Sequence, residues 1–337
     1  MVQGYKTHVQ SGILLNANEA SQNVDEAIKQ EIIDAISNLS LNRYPDTTCQ
    51  ELHRLYADIM NVPSSWILSG NGSDQMLGFL IQYYLRDNKT LYTLSPDFSM
   101  YDYYVGLNHS KIEKYETNQD GSFDVDAFIS NGKDKKVDMV LFSNPNNPTG
   151  NAITLCEMKK ISEAFKEIPV IFDEAYMEFG KESAICLLKE YPHVFVCRTL
   201  SKAYGLAGIR CGFMLGQQVE KLRDLFIPYA LSSVTQTIAS VVLRHADAYK
   251  ENIATIISER ERMYQEVKEF KQLTMYPSNA NFLFGRSEKK DLLLEMFKEK
   301  NITIRNYEDA SFRITIGTKE ENEMVLDVLR RFEYANS

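Results

Sequence analysis

The sequence predicts an α/β fold: a large domain with a mainly parallel sheet sandwiched by helices, plus a smaller α+β domain. Two observations indicate the large domain. Short apolar runs alternate with helical stretches through the middle of the chain, and polar residues with Gly or Pro follow each run. A change of pattern after about residue 225 indicates the smaller domain. A chain of 337 residues is long enough for two domains.

The apolar runs predict the strands of the large sheet, because each is short and is flanked by turn-forming residues. A helix between the third and fourth runs begins with a capping box formed by Thr154 and Glu157. Another helix is expected over residues 76–85. The five runs cover residues 66–69, 91–94, 137–142, 170–172 and 194–197.

The last third of the chain predicts a smaller unit with its own sheet. One long helix is expected over residues 240–270, and the last helix begins with a second capping box, formed by Thr318 and Glu321. Strands are expected at residues 281–284, 302–304 and 312–316, with a helix at 292–298. We therefore place an N-terminal segment that packs on the small domain at residues 1–29, the large domain at 30–228 and the small domain at 229–337.

Charge and cysteine content argue against several classes of protein. A net charge of -9 disfavours nucleic-acid binding, which needs a basic surface. The start of the chain lacks the apolar core of a signal peptide, and no apolar run is long enough to span a membrane. The five cysteines have no CxxC spacing and predict neither a metal site nor a disulfide framework. We expect all five to be buried free thiols, and the location to be a reducing cytoplasm.

Polar segments follow the strands at the edge where open α/β sheets bind ligands. Residues 70–74, GNGSD, lead into a helix, and their N–H groups are placed either to bind phosphate or simply to cap that helix. Residues 96–101 contain Tyr101, whose ring would either stack on a flat cofactor or pack in the core. The prolines and glycine of residues 144–150, NPNNPTG, hold the amide of Asn147 rigidly.

Charged residues follow the fourth and fifth strands. No histidine or third carboxylate lies at ligand spacing from Asp173, so pairing with a cation explains this acid better than a metal does. Lys202 lies between small and apolar residues, and a desolvated lysine has a lowered pKa that suits covalent chemistry with a carbonyl group. Ser201 and Arg210 are suited to bind an anion beside it.

With these residues, the chain resembles the class I/II aminotransferases of fold type I, which use pyridoxal 5'-phosphate (PLP). The resemblance implies that Lys202 carries the cofactor and moves the proton in transamination, while Asp173 pairs with the pyridinium nitrogen. It implies that Asn147 and Tyr176 hydrogen-bond the phenolic oxygen. The motifs that carry it are GSD at 72–74, NPNNPTG at 144–150, DEAY at 173–176 and SKAYGLAGIR at 201–210.

The resemblance also implies a phosphate site and a homodimer. Tyr101 is expected to stack on the cofactor ring. Tyr44, in an Asn-Arg-Tyr-Pro segment, matches a tyrosine that reaches the phosphate from the other subunit, so active sites would be shared between two copies. The remaining cofactor-binding residues that it implies, mostly around the phosphate, are Gly72, Ser73, Asp74, Ser201 and Arg210.

Within that family the chain is most similar to the histidinol-phosphate aminotransferases. This likeness implies amino transfer from L-histidinol phosphate to 2-oxoglutarate, giving imidazole acetol phosphate and L-glutamate in histidine biosynthesis. Arg313 is expected on the main anionic group of the substrate and Arg305 on the distal phosphate or carboxylate. Asn18 and Tyr5 are the other expected substrate residues. The likeness is carried by LLNANE at 14–19, LNRYPD at 41–46 and the region 304–318.

Alternatives remain open from the sequence. Arg305 is also explained as a surface charge, and Tyr5 as a packed aromatic. An aromatic-amino-acid aminotransferase and a threonine-phosphate decarboxylase are the rival enzymes of the same frame. A non-catalytic regulator is a further rival, although only about fifteen residues precede Asn16, too few for a DNA-binding module. A nicotinamide oxidoreductase is disfavoured, because Gln75 occupies the place of the third glycine in its fingerprint.

Overall fold

The computed structural model describes residues 11–86 and 88–335, which form two β-sheets and the helices around them. The strands are β1 (Ile13–Leu15), β2 (Ile67–Asn71), β3 (Thr90–Ser95), β4 (Lys111–Glu116), β5 (Met139–Ser143), β6 (Val170–Asp173), β7 (Val194–Thr199), β8 (Cys211–Leu215), β9 (Thr274–Tyr276), β10 (Phe282–Arg286), β11 (Ile302–Asn306) and β12 (Ser311–Thr315). The α-helices are α1 (Glu26–Ser37), α2 (Gln50–Met60), α3 (Gly72–Tyr84), α4 (Met100–Leu107), α5 (Val125–Asp134), α6 (Leu155–Ala164), α7 (Val219–Arg223), α8 (Ser233–Arg244), α9 (Tyr249–Val267), α10 (Lys290–Glu299) and α11 (Lys319–Ala335).

The larger sheet has seven strands in the order β2-β8-β7-β6-β5-β3-β4. Strands β4, β3, β5, β6 and β7 pair in parallel, and β8 is antiparallel to both of its neighbours. Because β8 is antiparallel to both β7 and β2, β2 points in the same direction as β7. The carboxyl ends of six strands therefore meet at one edge of the sheet, and the predicted α/β fold class is confirmed.

Alternate side chains of the central strands enter two separate apolar clusters, because successive residues of a strand point to opposite faces. On β5, Val140 and Phe142 belong to one cluster, while Met139 and Leu141 belong to the other. Helices α3 and α4 cover the second face through residues such as Leu77. Both faces are thus buried, which explains why these strands read as continuous apolar runs.

The smaller sheet has five strands in the order β1-β11-β12-β10-β9. Its edge strand β1 comes from the start of the described chain and pairs in parallel with β11, aligning Ile13 with Ile302 and Leu15 with Ile304. This sheet therefore joins residues from the two ends of the described chain. The residue bounds proposed for the domains stay a prediction.

The two predicted capping boxes are present. Thr154 accepts a hydrogen bond from the backbone of Glu157, whose carboxylate accepts one from the backbone N–H of Thr154 at 2.7 Å. Thr318 and Glu321 make the same reciprocal pair at the start of α11, at 3.2 and 2.8 Å. Each box satisfies N–H groups that the first helical turn leaves without partners.

The single long helix predicted over residues 240–270 is wrong. The chain forms two helices, α8 and α9, separated by His245 and a short 3-10 turn at Ala246–Ala248. The reason is packing: α8 lies against α1 and α2, whereas α9 lies against α11 and the small sheet. One straight helix cannot serve both surfaces.

The prediction that all five cysteines are buried is also corrected. Cys49, Cys197 and Cys211 are buried, but Cys156 and Cys186 are exposed, and all five are free thiols. Cys156 falls just outside the apolar stripe of α6, which faces the core through residues such as Met158. In the described part of the chain no cluster of three His, Cys, Asp or Glu side chains has metal-ligand geometry. None of the helices in residues 11–86 and 88–335 combines the length and apolarity that crossing a bilayer requires.

Candidate active site

A cavity of about 550 Å³ opens at the carboxyl edge of the large sheet and is closed on one side by strands β11 and β12. Such a volume suits a cofactor-sized ligand. Ten residues singled out in the sequence line it: Ser73, Asp74, Asn147, Asp173, Tyr176, Ser201, Lys202, Arg210, Arg305 and Arg313. Other lining residues were not singled out, and they include Ala17, Asp97, Phe98, Tyr104, Ser143, Thr199 and Tyr307.

Lys202 follows β7 and lies at the wall of this cavity. Its Nζ donates a hydrogen bond to the carbonyl oxygen of Ala17 at 2.9 Å and lies 5.7 Å from the centre of the Tyr176 ring. Burial, followed by the positive charge of Arg313, lowers the pKa of Lys202 from 10.5 to about 8. A substantial fraction of the amine is thus neutral, and nucleophilic, near neutral pH.

Asp173 ends β6 and is buried, with 3% of its surface exposed. Its Oδ2 accepts a hydrogen bond from the hydroxyl of Tyr101 at 2.9 Å, while its Oδ1 has no hydrogen-bond partner. Burial raises the pKa of Asp173 to about 7. A buried carboxylate oxygen without a partner is costly, and a ligand that brings an N–H group or a positive charge would remove that cost.

Asn147 and Arg313 are joined by a hydrogen bond from the guanidinium to the amide oxygen of Asn147. Arg313 also donates to the carbonyl oxygen of Asn16 at 2.9 Å, and its guanidinium lies 5.0 Å from the centre of the Phe282 ring. The arginine is buried in spite of its charge, as expected from its apolar neighbours in the sequence. It therefore connects β12 to the loop after β5 and to the start of the described chain.

Tyr176 places its hydroxyl group in the same network. That oxygen accepts a hydrogen bond from the side-chain amide of Asn18 at 3.0 Å, and burial raises the pKa of Tyr176. Asn18 does not line the cavity, although it lies directly behind this tyrosine. The main chain of Asn18 is held in turn by Thr315 and Asn281 of the small sheet.

The first turn of α3 and the loop after β7 form a second cluster of polar groups. Arg210 donates to Asp74 at 2.9 Å and to the hydroxyl of Ser201 at 3.3 Å. Gly72, with φ +79°, lies so close that a Cβ there would come within 2.5 Å of the Arg210 guanidinium. The positive φ favours glycine at the start of α3, and the absence of a side chain leaves room for the guanidinium of Arg210. The N-terminus of α3 and a guanidinium together make a site for an anion, with Ser73 beside it.

Arg305 lies opposite Arg313 in the small sheet, where the two residues are paired across β11 and β12. Both side chains line the cavity, so Arg305 is not a plain surface charge. The guanidinium of Arg305 lies 5.8 Å from the centre of the Tyr307 ring. The cavity thus has a second cationic wall, separate from the one around Arg210.

Tyr101 is not placed as the sequence predicted. It is 1% exposed, does not line the cavity and uses its hydroxyl to hold Asp173. Tyr101 lies in the first turn of α4 and packs in the apolar cluster under the sheet, whereas Phe98 precedes the helix and lines the cavity. Among residues 96–101, Phe98 is therefore the aromatic residue that lines the cavity and could face a flat ligand.

Tyr44 lies outside the cavity of its own chain, and 81% of its surface is exposed. Its ring stacks on Tyr229 with the ring centres 4.5 Å apart. Leu41, Leu225 and Ile227 are also exposed large apolar residues. Tyr5, which was expected near the substrate, lies outside the described residues.

Three lining residues were not expected from the sequence, and they differ in whether a sequence signal existed. Ala17 contributes a backbone carbonyl, so no side-chain motif reveals it. Thr199 is the last residue of β7, and its hydroxyl donates a hydrogen bond to that of Ser201 at 2.9 Å. Its place directly before the lysine motif is a sequence signal for this position. Asp97 was read only as part of the loop after β3, although a charged residue at a strand end is itself a signal.

Comparison with known proteins places the chain in a family. The family model described as Aminotransferase class I and II matches residues 10–329. The chain belongs to the class I and II aminotransferases, and the predicted family is confirmed.

Individual relatives are similar over nearly the whole chain. The histidinol-phosphate aminotransferase of Clostridium novyi (strain NT) is 33% identical over 328 residues, covering 96% of this chain and 92% of the relative. The histidinol-phosphate aminotransferase of Pyrococcus furiosus is 34% identical over 325 residues, covering 95% and 92%. The crystal structure of histidinol-phosphate aminotransferase from Sinorhizobium meliloti, in complex with pyridoxal-5'-phosphate, has a TM-score of 0.86 at 21% identity and covers 97% of this chain and 92% of that one. This structure establishes the shared fold.

Proposed function

We propose that this aminotransferase uses PLP to transfer the amino group of L-histidinol phosphate to 2-oxoglutarate, giving imidazole acetol phosphate and L-glutamate. The observation that carries the proposal is the pair formed by Lys202, an amine with a lowered pKa, and Asp173, a buried carboxylate with an oxygen that has no partner, in one cavity. The first suits a covalent link to a carbonyl group, and the second suits a protonated ring nitrogen.

The residues around the cavity fit each part of PLP. The ring nitrogen would donate to Oδ1 of Asp173, and Asn147 and Tyr176 would bind the phenolic oxygen. The phosphate would lie at the N-terminus of α3, near Ser73, Ser201 and Arg210, where backbone N–H groups and a guanidinium favour a dianion. When bound, PLP supplies an electron-accepting ring that stabilises negative charge at the substrate carbon next to nitrogen.

The chain's own residues then have distinct tasks. Lys202 would hold the cofactor and, once free again as a neutral amine, would take the proton from the substrate carbon next to nitrogen and deliver it to the cofactor carbon on the other side of that nitrogen. Asp173 keeps the ring nitrogen protonated. Phe98, in place of Tyr101, stacks on the ring. β11 and β12 would shield one side of the reacting atoms from water.

Two guanidinium groups of the small sheet support the choice of substrate. Arg313 and Arg305 both line the cavity from the small sheet, whereas Arg210 comes from the large sheet, so a second anion would bind beside the two arginines. Histidinol phosphate has a phosphate and 2-oxoglutarate has two carboxylates, and planar guanidinium groups bind both kinds of anion. The relatives described above, at 33% and 34% identity, are histidinol-phosphate aminotransferases.

We also propose a homodimer in the cytoplasm. The exposed apolar residues Leu41, Tyr44, Leu225 and Ile227 support a partner surface, since monomeric proteins seldom expose such groups together. Tyr44 would enter the neighbouring active site from this surface. Five free thiols, two of them exposed, fit a reducing compartment.

The rival activities occur on the same fold, as solved structures of a threonine-phosphate decarboxylase and an aromatic aminotransferase illustrate. Amino transfer is separated from decarboxylation by the requirement for a keto-acid acceptor. It is separated from the aromatic activity by the requirement for a phosphate on the substrate. A non-catalytic regulator would bind PLP but would turn over no substrate.

The test is a titration of the purified protein followed by visible absorption. After PLP is added, we expect a band of bound cofactor, its loss on addition of L-histidinol phosphate alone, and its return on addition of 2-oxoglutarate. A band that is unchanged by histidinol phosphate but is lost on addition of an aromatic amino acid or phosphothreonine would mean that this other compound is the substrate. Absence of any band of bound cofactor would contradict the proposal that this protein uses PLP.

The matched control is Lys202→Ala. This variant keeps the anion sites and Asp173 but lacks the amine, so it should bind PLP without the absorption band of a cofactor linked covalently to lysine, and it should lose nearly all turnover. Turnover equal to that of the parent protein would show that Lys202 does not have the role proposed here.

A further inference from the structure

Asp97 is a cavity-lining carboxylate that the proposed reaction does not use. It follows β3, and all of its hydrogen bonds go to two neighbours. Its Oδ1 accepts from the backbone N–H of Phe98 at 2.7 Å and from the hydroxyl of Ser143 at 2.5 Å, and its Oδ2 accepts from the backbone N–H of Ser143 at 3.1 Å. Because the carboxylate accepts both the hydroxyl and the backbone N–H of Ser143, it fixes the position of Ser143.

Ser143 lies at the carboxyl edge of the large sheet, next to Asp173. It is the last residue of β5, and it is paired across the strands with Asp173, the acid proposed to hold the ring nitrogen. On its other side, the pairing between β5 and β3 ends early, at Val140 and Tyr92. Asp97 therefore satisfies the backbone N–H of Ser143 where no neighbouring strand does.

The hydroxyl of Ser143 connects Asp97 to the backbone of Asn147 through two hydrogen bonds. Because the hydroxyl hydrogen of Ser143 is directed to Asp97, the lone pairs of its oxygen are left to accept the backbone N–H of Asn147, at 2.9 Å. We infer that Asp97 is a positioning residue for the cofactor: through Ser143 it fixes the loop of Asn147 and the strand end beside Asp173. This inference rests on the proposed function.

Only a carboxylate can make these contacts. Three donors point at the two oxygens of Asp97, at least one on each oxygen. An asparagine would place its NH₂ group against the N–H of Ser143 in one orientation and against the N–H of Phe98 in the other. One donor would then lack an acceptor in either case. Burial raises the pKa of Asp97 to about 8, and the three donors, which favour the ionised form, offset that shift only in part.

The experiment compares PLP binding to four apo proteins: the parent, Asp97→Asn, Ser143→Ala and the double variant. Asp138→Asn is the matched control. Asp138 also joins β3 to β5 by accepting a backbone N–H, that of Thr90 at 2.9 Å, but at the opposite end of these strands. The dissociation constant of PLP and the visible circular dichroism of the bound cofactor are measured, with the melting midpoint of each apo protein.

We expect Asp97→Asn and Ser143→Ala each to weaken PLP binding by roughly tenfold, because each removes a charge-assisted hydrogen bond. The double variant should be no weaker than the weaker single variant, since both changes break one connected chain. The dichroism of the bound cofactor should change in the same way in both single variants. Asp138→Asn should lower the melting midpoint without changing PLP binding by more than about twofold.

Two results would overturn the inference: PLP binding by both single variants within about twofold of the parent, or losses that multiply to roughly a hundredfold in the double variant. If Asp97→Asn does not fold, Ser143→Ala decides by the same binding criterion. Absence of PLP binding by the parent would overturn the proposed function and this inference together. Equal binding by parent and variants would overturn the inference alone.

Discussion

At the scale of single residues, the cavity gives Lys202 a lower pKa than a lysine on the surface has. Removal from water penalises the charged amine, and Arg313 adds a second positive charge nearby, so the pKa falls to about 8. The amine nevertheless keeps a hydrogen-bond acceptor, the carbonyl of Ala17 at 2.9 Å, which orients it.

The lowered pKa predicts how the apo protein takes up PLP. Only the neutral amine bonds to the cofactor, so the uptake rate should rise about tenfold per pH unit below pH 8 and level off above it. Stopped-flow absorption between pH 6 and 10 measures this rate. Lys202→Ala, which has no amine to titrate, should show no such rise. A rate that is flat below pH 8, or still rising at pH 10, would contradict the prediction.

The two guanidinium groups of the small sheet should differ in their effects on substrate. Arg305→Ala should lower kcat/KM for L-histidinol phosphate about tenfold or more, the loss of one charge-assisted contact, and leave L-histidinol within about twofold. Arg313→Ala should impair both substrates, because Arg313 also holds Asn147 and the carbonyl of Asn16. Steady-state kinetics with the two substrates separate these outcomes. Equal losses on both substrates for Arg305→Ala would assign that residue a different role.

At the scale of secondary-structure elements, a buried ion group holds the ends of β6 and β7 behind the cavity. Arg198 of β7 contacts Glu174 at 2.8 Å and Glu178 at 2.9 Å, and all three side chains are at most 9% exposed. Burial raises the pKa of Glu174, although Arg198 counteracts this shift. Since Glu174 directly follows Asp173, the group also fixes the strand end that carries the acid of the site.

Removal of this arginine should destabilise the protein strongly. Arg198→Ala leaves two buried carboxylates without a cation, which costs about 3–5 kcal/mol in the free energy of unfolding. Lys159→Ala is the control, because its ion pair with Glu190 lies on the surface, where water screens it, and contributes little to stability. Urea unfolding of both variants gives the values. A loss for Arg198→Ala no larger than that of the control would show that the ion group contributes little.

How much could be predicted differs from element to element. β5, β6 and β7 were found because both of their faces are buried and each begins with an uninterrupted run of apolar residues. β4, with the sequence KIEKYE, was missed because it is a half-exposed edge strand in which apolar and charged residues mix. β8 was missed because its residues read as the end of the lysine motif. The exchange of Tyr101 for Phe98 depends on where α4 begins, and no local pattern fixes that boundary to one residue.

At the scale of the whole molecule, the proposed active site depends on a second copy of the chain. Tyr44 is 81% exposed and does not line the cavity of its own chain. If it acts in the neighbouring subunit, mixing Lys202→Ala with Tyr44→Ala should restore activity. Half of the dimers would be mixed, each with one intact site, which gives about a quarter of the parent activity. Activity is measured after unfolding and refolding the mixture.

The control for that experiment mixes Lys202→Ala with Asp173→Asn. Both residues line the cavity of the same chain, so no mixed dimer would contain an intact site and no activity should return. Failure of the first mixture to recover activity would mean that Tyr44 acts within its own subunit, whereas full activity of Tyr44→Ala by itself would mean that Tyr44 has no role in the reaction.

The hydrogen bond from Arg313 to the carbonyl of Asn16 joins residues 297 positions apart, and β1 pairs with β11 across a similar distance. A ribosome releases Asn16 and Lys202 well before Arg313. A nascent chain therefore presents its reactive lysine without the wall that encloses it, and the cavity closes only when β12 has emerged. Capture of PLP must accordingly follow synthesis, and a product truncated before residue 302 would have the lysine but no chamber to hold the cofactor.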